Sequence, residues 1–424
     1  MRIALRSETK QYANDICEVI RLFTGPEPID NADRPAIKGK YVVITHESAY
    51  ANGYFDNIVD IAINVGVVCR RVRHRSLDAY RGDEKDSLAF KRYSKRAVKN
   101  AIYLCMQKAF PTRLPWGSLT GIRPTRLVYE LREQDYDDAG AARMLERSFF
   151  LEPEKTQLLI ETSHHQREVL ESQEPNDLDV YISIPFCVSR CVYCSFPAYE
   201  LNQVKDLSAY FGALERELGE AGRRVLADGW KPRSLYIGGG TPTSVPTSAL
   251  AAVLRQALEI FGGFSEITVE GGRPDTLDEE KLRMLRSLGV HRISVNPQTM
   301  HHRTLLAIGR KHSPEDMLRA FDAAKKVGFD SINTDVILGL PGETVEDVAH
   351  TLTVLLALRP DNITVHTLAI KRASLLKESI GEIALPSAQI VSEMVDLSRS
   401  LLTGAGYASY YLYRQKYMTG NFEN

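Results

Sequence analysis

Apolar positions between residues 180 and 370 recur in two alternating rhythms. Short β-branched and apolar runs at 180–184 (VYISI), 234–238 (SLYIG), 266–271 (EITVEG), 292–296 (RISVN), 332–339 (INTDVILG) and 362–368 (NITVHTL) have the length of buried strands. Between most of them, residues 205–226, 247–261, 278–288, 314–327 and 344–358 carry apolar side chains at helical spacing. Strands alternating with helices of this length predict parallel βαβ units with right-handed crossovers. Six such strands fit an α/β fold that is either an open doubly wound sheet or a partial barrel. In both, the chemistry sits at the carboxyl ends of the strands.

The first 175 residues have a mixed texture. Strand-like runs at 41–48 (YVVITHES) and 60–74 (DIAINVGVVCRRVRH) precede a helical pattern at 86–110 with a basic exposed face. A loop at 114–127 and helical stretches at 138–149 and 153–172 follow. The polar stretch SQEPNDLD (172–179) reads as a boundary. The expected organisation is an accessory α/β domain at 1–175, an α/β core at 176–370, and the start of a substrate-covering segment at 371–424. The final GNFEN carries no clear terminal element, as in a fragment of a longer chain.

Composition adds limits. Hydrophobic residues make up 44% and charged residues 25% of 424, an ordinary globular balance. A net charge of −1 provides no global field to recruit nucleic acid or an anionic membrane. No stretch reaches the roughly 18 uncharged apolar residues of a membrane helix, and the N-terminus lacks a signal peptide's apolar core. A cytoplasmic location is expected, with no membrane partner. Of six cysteines, Cys17, Cys69 and Cys105 are scattered among apolar neighbours and read as buried, unpaired thiols. Cys187, Cys191 and Cys194 fall within eight residues, a clustering that in a reducing compartment favours metal ligation.

Those three cysteines form C-x3-C-x2-C in a loop directly after the first core strand. Three thiolates converging on an iron–sulfur cubane, which normally takes four, leave one iron open for a substrate. Zinc would want a fourth ligand nearby, and the nearest histidines, His164, His165 and His291, are distant in sequence. With Tyr193 before the last cysteine, the motif resembles that of the radical S-adenosylmethionine superfamily. The wider string YISIPFCVSRCVYCSF resembles its coproporphyrinogen branch, which includes oxygen-independent coproporphyrinogen III oxidases and heme chaperones. The resemblance implies a radical SAM partial (βα)6 barrel and a [4Fe-4S] cluster on Cys187, Cys191 and Cys194. It also implies S-adenosylmethionine as cofactor and a reductive electron donor such as a flavodoxin.

The same resemblance assigns further residues. YIGGGTPT (236–243) resembles the family's GGGTP segment, in which Gly239, Gly240 and Thr241 would contact S-adenosylmethionine. Glu270, in a segment one residue longer than the oxidase pattern, matches the family glutamate that binds this cofactor. Gln298, Arg310 and Asp335 match residues lining the pocket, and Tyr181, Tyr193 and Ala369 are assigned to it as well. Catalytic roles fall on Glu270 and Tyr181. The types suit the task, since arginine can fork onto a carboxylate and aspartate can accept from hydroxyls or an amine.

Segments 362–374 and 410–424 and the N-terminal PWGSLTGIRPTRL resemble the HemZ subgroup of coproporphyrinogen dehydrogenases. The implied reaction is oxidative decarboxylation of two propionates of coproporphyrinogen III, giving protoporphyrinogen IX in heme biosynthesis. Its carboxylates need cations, for which Lys371, Arg372, Arg414, Lys416, Arg123 and Arg126 are candidates. Phe196 stands where oxidases carry a further cysteine and heme chaperones do not. A heme-binding chaperone, with His366 or a cysteine as axial ligand, is therefore the alternative. A third reading, action on RNA through the basic run 70–75 and helix 91–108, lacks an aromatic stacking platform, and a nucleic-acid partner is not expected.

Overall fold

The computed structural model describes all residues except 1, 26, 31–38, 67, 81, 83–86, 122, 372, 379–383, 415–421 and 424. The chain divides into two compact units, Met1–His164 with Tyr410–Phe422, and His165–Ser409 with Glu423–Asn424.

The first unit is built on β1 (Arg2–Ser7), α1 (Ala13–Thr24), β2 (Ile29–Asp30), β3 (Tyr41–Ala51), β4 (Tyr54–Val65), β5 (Val68–Ala79) and α2 (Leu88–Ala109). Its sheet runs β2-β1-β3-β4-β5, parallel around β1 and antiparallel from β3 to β5. The run 60–74 is thus two strands, turning at Gly66 with φ +75°. Asn52 and Gly53, both at positive φ, make the tight turn between β3 and β4. Strict alternation in β4 sends Val59 and Ile61 inward against Ile16 and Ile20 of α1 and Ile102 and Met106 of α2. Cys17 and Cys105 are buried as expected, but Cys69 is exposed, because it stands at the start of the edge strand β5. A second apolar cluster forms around Trp116, Leu145 and Leu159, between α3 (Thr125–Arg132), α4 (Asp138–Phe149) and α5 (Pro153–Glu171).

The second unit contains β6 (Asp177–Ile184), β7 (Phe186–Cys187), β8 (Tyr199–Glu200), α6 (Leu207–Ala227), β9 (Lys231–Gly239), α7 (Thr247–Phe261), β10 (Glu266–Val269), α8 (Glu279–Ser287), β11 (Arg292–Ser294), α9 (His302–Ala307), α10 (Pro314–Val327), β12 (Ser331–Leu338), α11 (Val345–Leu358), β13 (Asn362–Thr367), α12 (Leu375–Glu378) and α13 (Ala388–Gly404). Six strands pair in parallel in the order β13-β12-β11-β10-β9-β6. That order never reverses. A doubly wound sheet has a switch point where it does, so this is the singly wound partial (βα)6 barrel. Helix starts are sharp where the sequence supplies capping boxes, Ser313 with Asp316 at α10 and Thr344 with Asp347 at α11. Along the strands one set of side chains (Ile182, Leu235, Ile237, Ile267, Ile293, Ile332) is apolar and buried. The opposite set (Tyr181, Tyr236, Thr268, Glu270, Arg292, Asn333, Asp335, Thr364) is polar or aromatic and faces the barrel interior.

Candidate functional site

Where β6 ends, the chain enters the cysteine loop, whose neck is closed by pairing of Phe186 with Tyr199 and of Cys187 with Glu200. The Cys194 N–H donates to the Cys191 carbonyl at 3.1 Å, closing a tight turn between the last two cysteines. Neighbouring segments seat this loop. The Gly240 and Thr241 N–H groups donate to the Ile184 and Phe186 carbonyls at 2.9 and 2.7 Å, and the Thr241 hydroxyl reaches Cys187 Sγ at 3.5 Å. A Cβ on Gly240 would lie 2.7 Å from the Phe186 oxygen and 3.0 Å from Cys187 Sγ, so only glycine allows the approach. The Val192 N–H donates to the Ile308 carbonyl at 3.1 Å, and Tyr193 packs on the cluster formed by Leu305, Ile308, Leu340 and Leu368. Burial raises the Cys187 and Cys194 thiols, opposed at Cys187 by the Thr241 hydroxyl and at Cys194 by the Phe196 N–H.

Strand ends supply the rest. Tyr181 and Tyr236 stack at 5.8 Å on β6 and β9, and Tyr181 is 60% exposed. A Cβ on Gly238 would meet Glu270 Oε2 at 2.9 Å and the Tyr181 hydroxyl at 3.1 Å, so these two groups converge above the glycine triplet. Burial and the nearby Asp335 charge push the Glu270 carboxyl up to about 7. Burial acts on Asp335 too, but His366, Asn333 and Thr364 more than offset it and hold its pKa below the ordinary value. Asn296 and Asn333 donate to its two oxygens at 2.8 and 2.7 Å, and His366 Nε2 lies 3.7 Å away. Two carboxylates thus sit in environments that separate their proton affinities, one able to exchange a proton near neutrality and the other a fixed anion.

Gln298 bridges to β12 through its backbone, at φ +70°, a conformation that costs a non-glycine residue about 1 kcal/mol or more. Its Oε1 is buried without a hydrogen-bond partner among the described residues, as are Asn296 Oδ1, Ser294 Oγ and Arg310 Nε. Arg310 is buried, with Nη1 donating to the Asn296 carbonyl at 2.6 Å. Burial opposes its charge, and the Tyr193 hydroxyl and Cys191 thiol hold it ionised. Buried polar atoms are nearly always satisfied in native proteins, so this concentration of open ones marks a place for a polar guest.

Residues 181–355 match the sequence model of the radical SAM superfamily. The chain is 35% identical over 339 residues to the oxygen-independent coproporphyrinogen-III oxidase-like protein HemZ of Bacillus subtilis, an alignment covering 78% of this chain and 68% of that protein. The chain belongs to the radical SAM superfamily, among its HemZ-like members. It is also 32% identical over 237 residues to the heme chaperone HemW of Bacillus subtilis, covering 54% of this chain and 61% of that one. Among solved structures it resembles the radical SAM enzyme coproporphyrinogen III oxidase (HemN) of Escherichia coli, with a TM-score of 0.50, 28% identity, and 58% and 56% of the two chains covered. It therefore spans about two thirds or less of the length of these relatives.

Radical SAM proteins use a [4Fe-4S] cluster and S-adenosylmethionine, and the residues present fit both. Among the described residues no three His, Cys, Asp or Glu side chains converge as ligands of one ion would. Ligands of a cubane each take a different iron and need no such convergence. The open atoms of Asn296, Gln298 and Arg310, with the anion Asp335, suit a zwitterionic cofactor carrying ribose hydroxyls.

The remaining candidates fall in different places. Ala369 lies just beyond β13, half-buried. Lys371 Nζ lies 5.8 Å from the Phe196 ring, which is 63% exposed. Arg123 is exposed in the first unit, and Arg126 there pairs with Glu130 at 3.0 Å. Arg414 is no free cation: its guanidinium is buried over the Trp116 ring and donates to the Leu119 carbonyl at 2.7 Å. Arg372 and Lys416 lie outside the described residues. His164 is engaged by Asp138, and His291 accepts from the Ile267 N–H, so neither serves the thiols. Missed from sequence was Arg273, 2% exposed, which binds Asp275 and reaches the cysteine loop. A charged residue in a glycine-rich turn carries no signal of burial.

Proposed function

We propose that this chain converts coproporphyrinogen III to protoporphyrinogen IX by oxygen-independent oxidative decarboxylation of two propionates. In this reading Cys187, Cys191 and Cys194 hold the cluster and the strand ends hold S-adenosylmethionine. The observation that carries it is the group of buried, open polar atoms of Asn296, Gln298 and Arg310 beside the cysteine loop. When bound, the cofactors supply an electron and the means to remove a hydrogen atom from an unactivated carbon. Asp335, held ionised, would accept from the cofactor's hydroxyl or amine groups, and Arg310, whose Nε is open, would pair with its carboxylate. Glu270 holds or releases a proton near neutrality. The Tyr181–Tyr236 stack lines the interior beside Glu270. Gly239, Gly240 and Thr241 seat the loop against the cofactor site, and Ala369 and Tyr193 border it. Lys371 is the candidate partner for a propionate. A low-potential donor such as a flavodoxin supplies the electron, in the cytoplasm; no helix among the described residues is long and apolar enough to cross a membrane.

A second reading, a heme chaperone without decarboxylase activity, is favoured by one observation: an exposed Phe196 where the oxidase pattern has cysteine. One experiment separates them. The protein is purified and reconstituted without oxygen, reduced, and incubated with S-adenosylmethionine and coproporphyrinogen III, with Cys191→Ala as control. Protoporphyrinogen formed with 5′-deoxyadenosine, both lost in the control, supports the decarboxylase. Heme binding with no tetrapyrrole product supports the chaperone.

A further inference from the structure

A buried guanidinium is costly unless its donors are met, and Arg273 has two partner residues that offer four acceptor atoms. Asp275 takes Nε and Nη2 at 3.0 and 2.8 Å in a bidentate pair. That pair is local, between residues two apart, and needs nothing else in the protein. The remaining nitrogen, Nη1, donates instead to Ser189 Oγ at 2.7 Å and to the Ser189 carbonyl at 3.3 Å, 84 positions earlier in the chain. Ser189 lies between Cys187 and Cys191. Its own hydroxyl donates to the Gly309 carbonyl at 3.2 Å, and Gly309 sits at φ +77°, where a Cβ would meet the Arg190 carbonyl at 3.1 Å. From the next residue, Arg310 Nη1 returns to the Gly272 carbonyl at 3.3 Å, beside Arg273. The circuit closes around the cysteine loop.

We propose that Arg273 is a positioning residue for the cluster loop: clamped by Asp275, its guanidinium holds Ser189 and so fixes where Cys187 and Cys191 present their sulfurs. This rests on the reading that those cysteines hold the cluster. A merely structural role for the turn is already filled by others. Thr243 and Thr276 donate to the Gly271 carbonyl at 2.7 and 3.3 Å, and the buried Lys281 binds the Thr243, Val245 and Thr276 carbonyls. The turn therefore stands without the Arg273 side chain, whose distinct contribution is the reach to Ser189.

The test uses the full chain as Ser189→Ala and Arg273→Lys. In cluster-free protein, alkylation rates of the individual thiols are read by mass spectrometry, with buried Cys17 and Cys105 as internal controls. After reconstitution, the midpoint potential and the paramagnetic resonance of the reduced cluster are recorded. Loss of one charge-assisted hydrogen bond predicts loop thiols that label on the order of tenfold faster in both variants. Cys17 and Cys105 stay unchanged, the resonance broadens, and the double variant labels no faster than Arg273→Lys. Wild-type labelling of the loop thiols in a stable Ser189→Ala protein overturns the proposal. So does labelling that accelerates equally at Cys17 and Cys105. A wild-type chain that takes up no iron would sink the cofactor reading while the labelling still decides whether Arg273 positions the loop.

Discussion

Both sheets alternate apolar and polar residues, yet they use the polar face in opposite ways. In the first unit the solvent face of β4 and β5 settles its own charges: Arg71 and Arg73 pair with Asp60 at 3.2 and 3.6 Å, and Arg75 with Asp56 at 2.6 Å. The basic run that suggested a phosphate-binding face is therefore about half neutralised across the strands, two carboxylates facing three of its four arginines. In the second unit the polar face is turned inward. Open buried atoms in the first unit are scattered, as at Asn57 and Gln107, whereas in the second they crowd between residues 294 and 312. A sheet that satisfies its own polar face asks for nothing more. One that gathers open donors and acceptors beside three thiols is arranged for a guest.

The contrast can be broken most severely at Asp335. Asp335→Asn keeps the shape and removes the fixed anion, and should weaken S-adenosylmethionine binding by about 100-fold in the reconstituted protein, as measured by calorimetric titration. Glu270 offers a finer probe, through pH. Its folded pKa of about 7 lies above the ordinary carboxylate value, so the folded state holds this proton more tightly than the unfolded one. The resulting stability is fully present below the ordinary value and is lost as pH rises through about 7. Glu270→Gln should therefore gain on the wild type between pH 5 and 8, by on the order of 2 kcal/mol in cluster-free denaturation, with the gain absent near pH 4. Equal pH slopes for the two proteins would remove Glu270 from this role. The smallest effect is expected on the other sheet. Arg71→Ala with Arg73→Ala should shift the melting temperature by no more than about 2 °C and leave cofactor binding unchanged. A large loss of nucleic-acid affinity in that variant would revive the phosphate-binding reading.

The core was legible because several levels of sequence agree there. Helices at 247–261 and 314–327 appear at the expected bounds, the second fixed by Ser313, Pro314 and Gly328. The cysteine spacing pointed to its site because three thiols in one loop have few other uses. Periodicity alone left doubly wound sheet and barrel open, since strand order is a long-range property; the resemblance carried by the cysteine motif implied the partial barrel that the strand order shows. Other misses were of different kinds. Asn52–Gly53 is a strong hairpin signal that would have revealed the antiparallel half of the first sheet, and Gly66 would have divided the run 60–74. Amphipathic α1 and α13 were passed over although Gly25–Pro26 follows the first in sequence and Pro386, Ser387 and Gly406 bracket the second. Arg273 drew no notice and Arg414 was offered as a cation for the substrate, because partners that hold them, Ser189 and Trp116, are far away in the chain.

The steadily ascending strand order has a consequence during synthesis. Cys187, Cys191 and Cys194 leave the ribosome early in the second unit, but the carbonyl that accepts from Ser189 follows 120 residues later. At translation rates of about 5–20 residues per second, the loop waits on the order of 6 to 24 s for that anchor. Through that interval the loop is held by its own neck and turn, then by Thr241, and later by Arg273. The ascending strand order thus sets the sequence in which the loop's anchors are made: the neck at Tyr199 and Glu200 first, then Thr241, then Arg273, then Gly309.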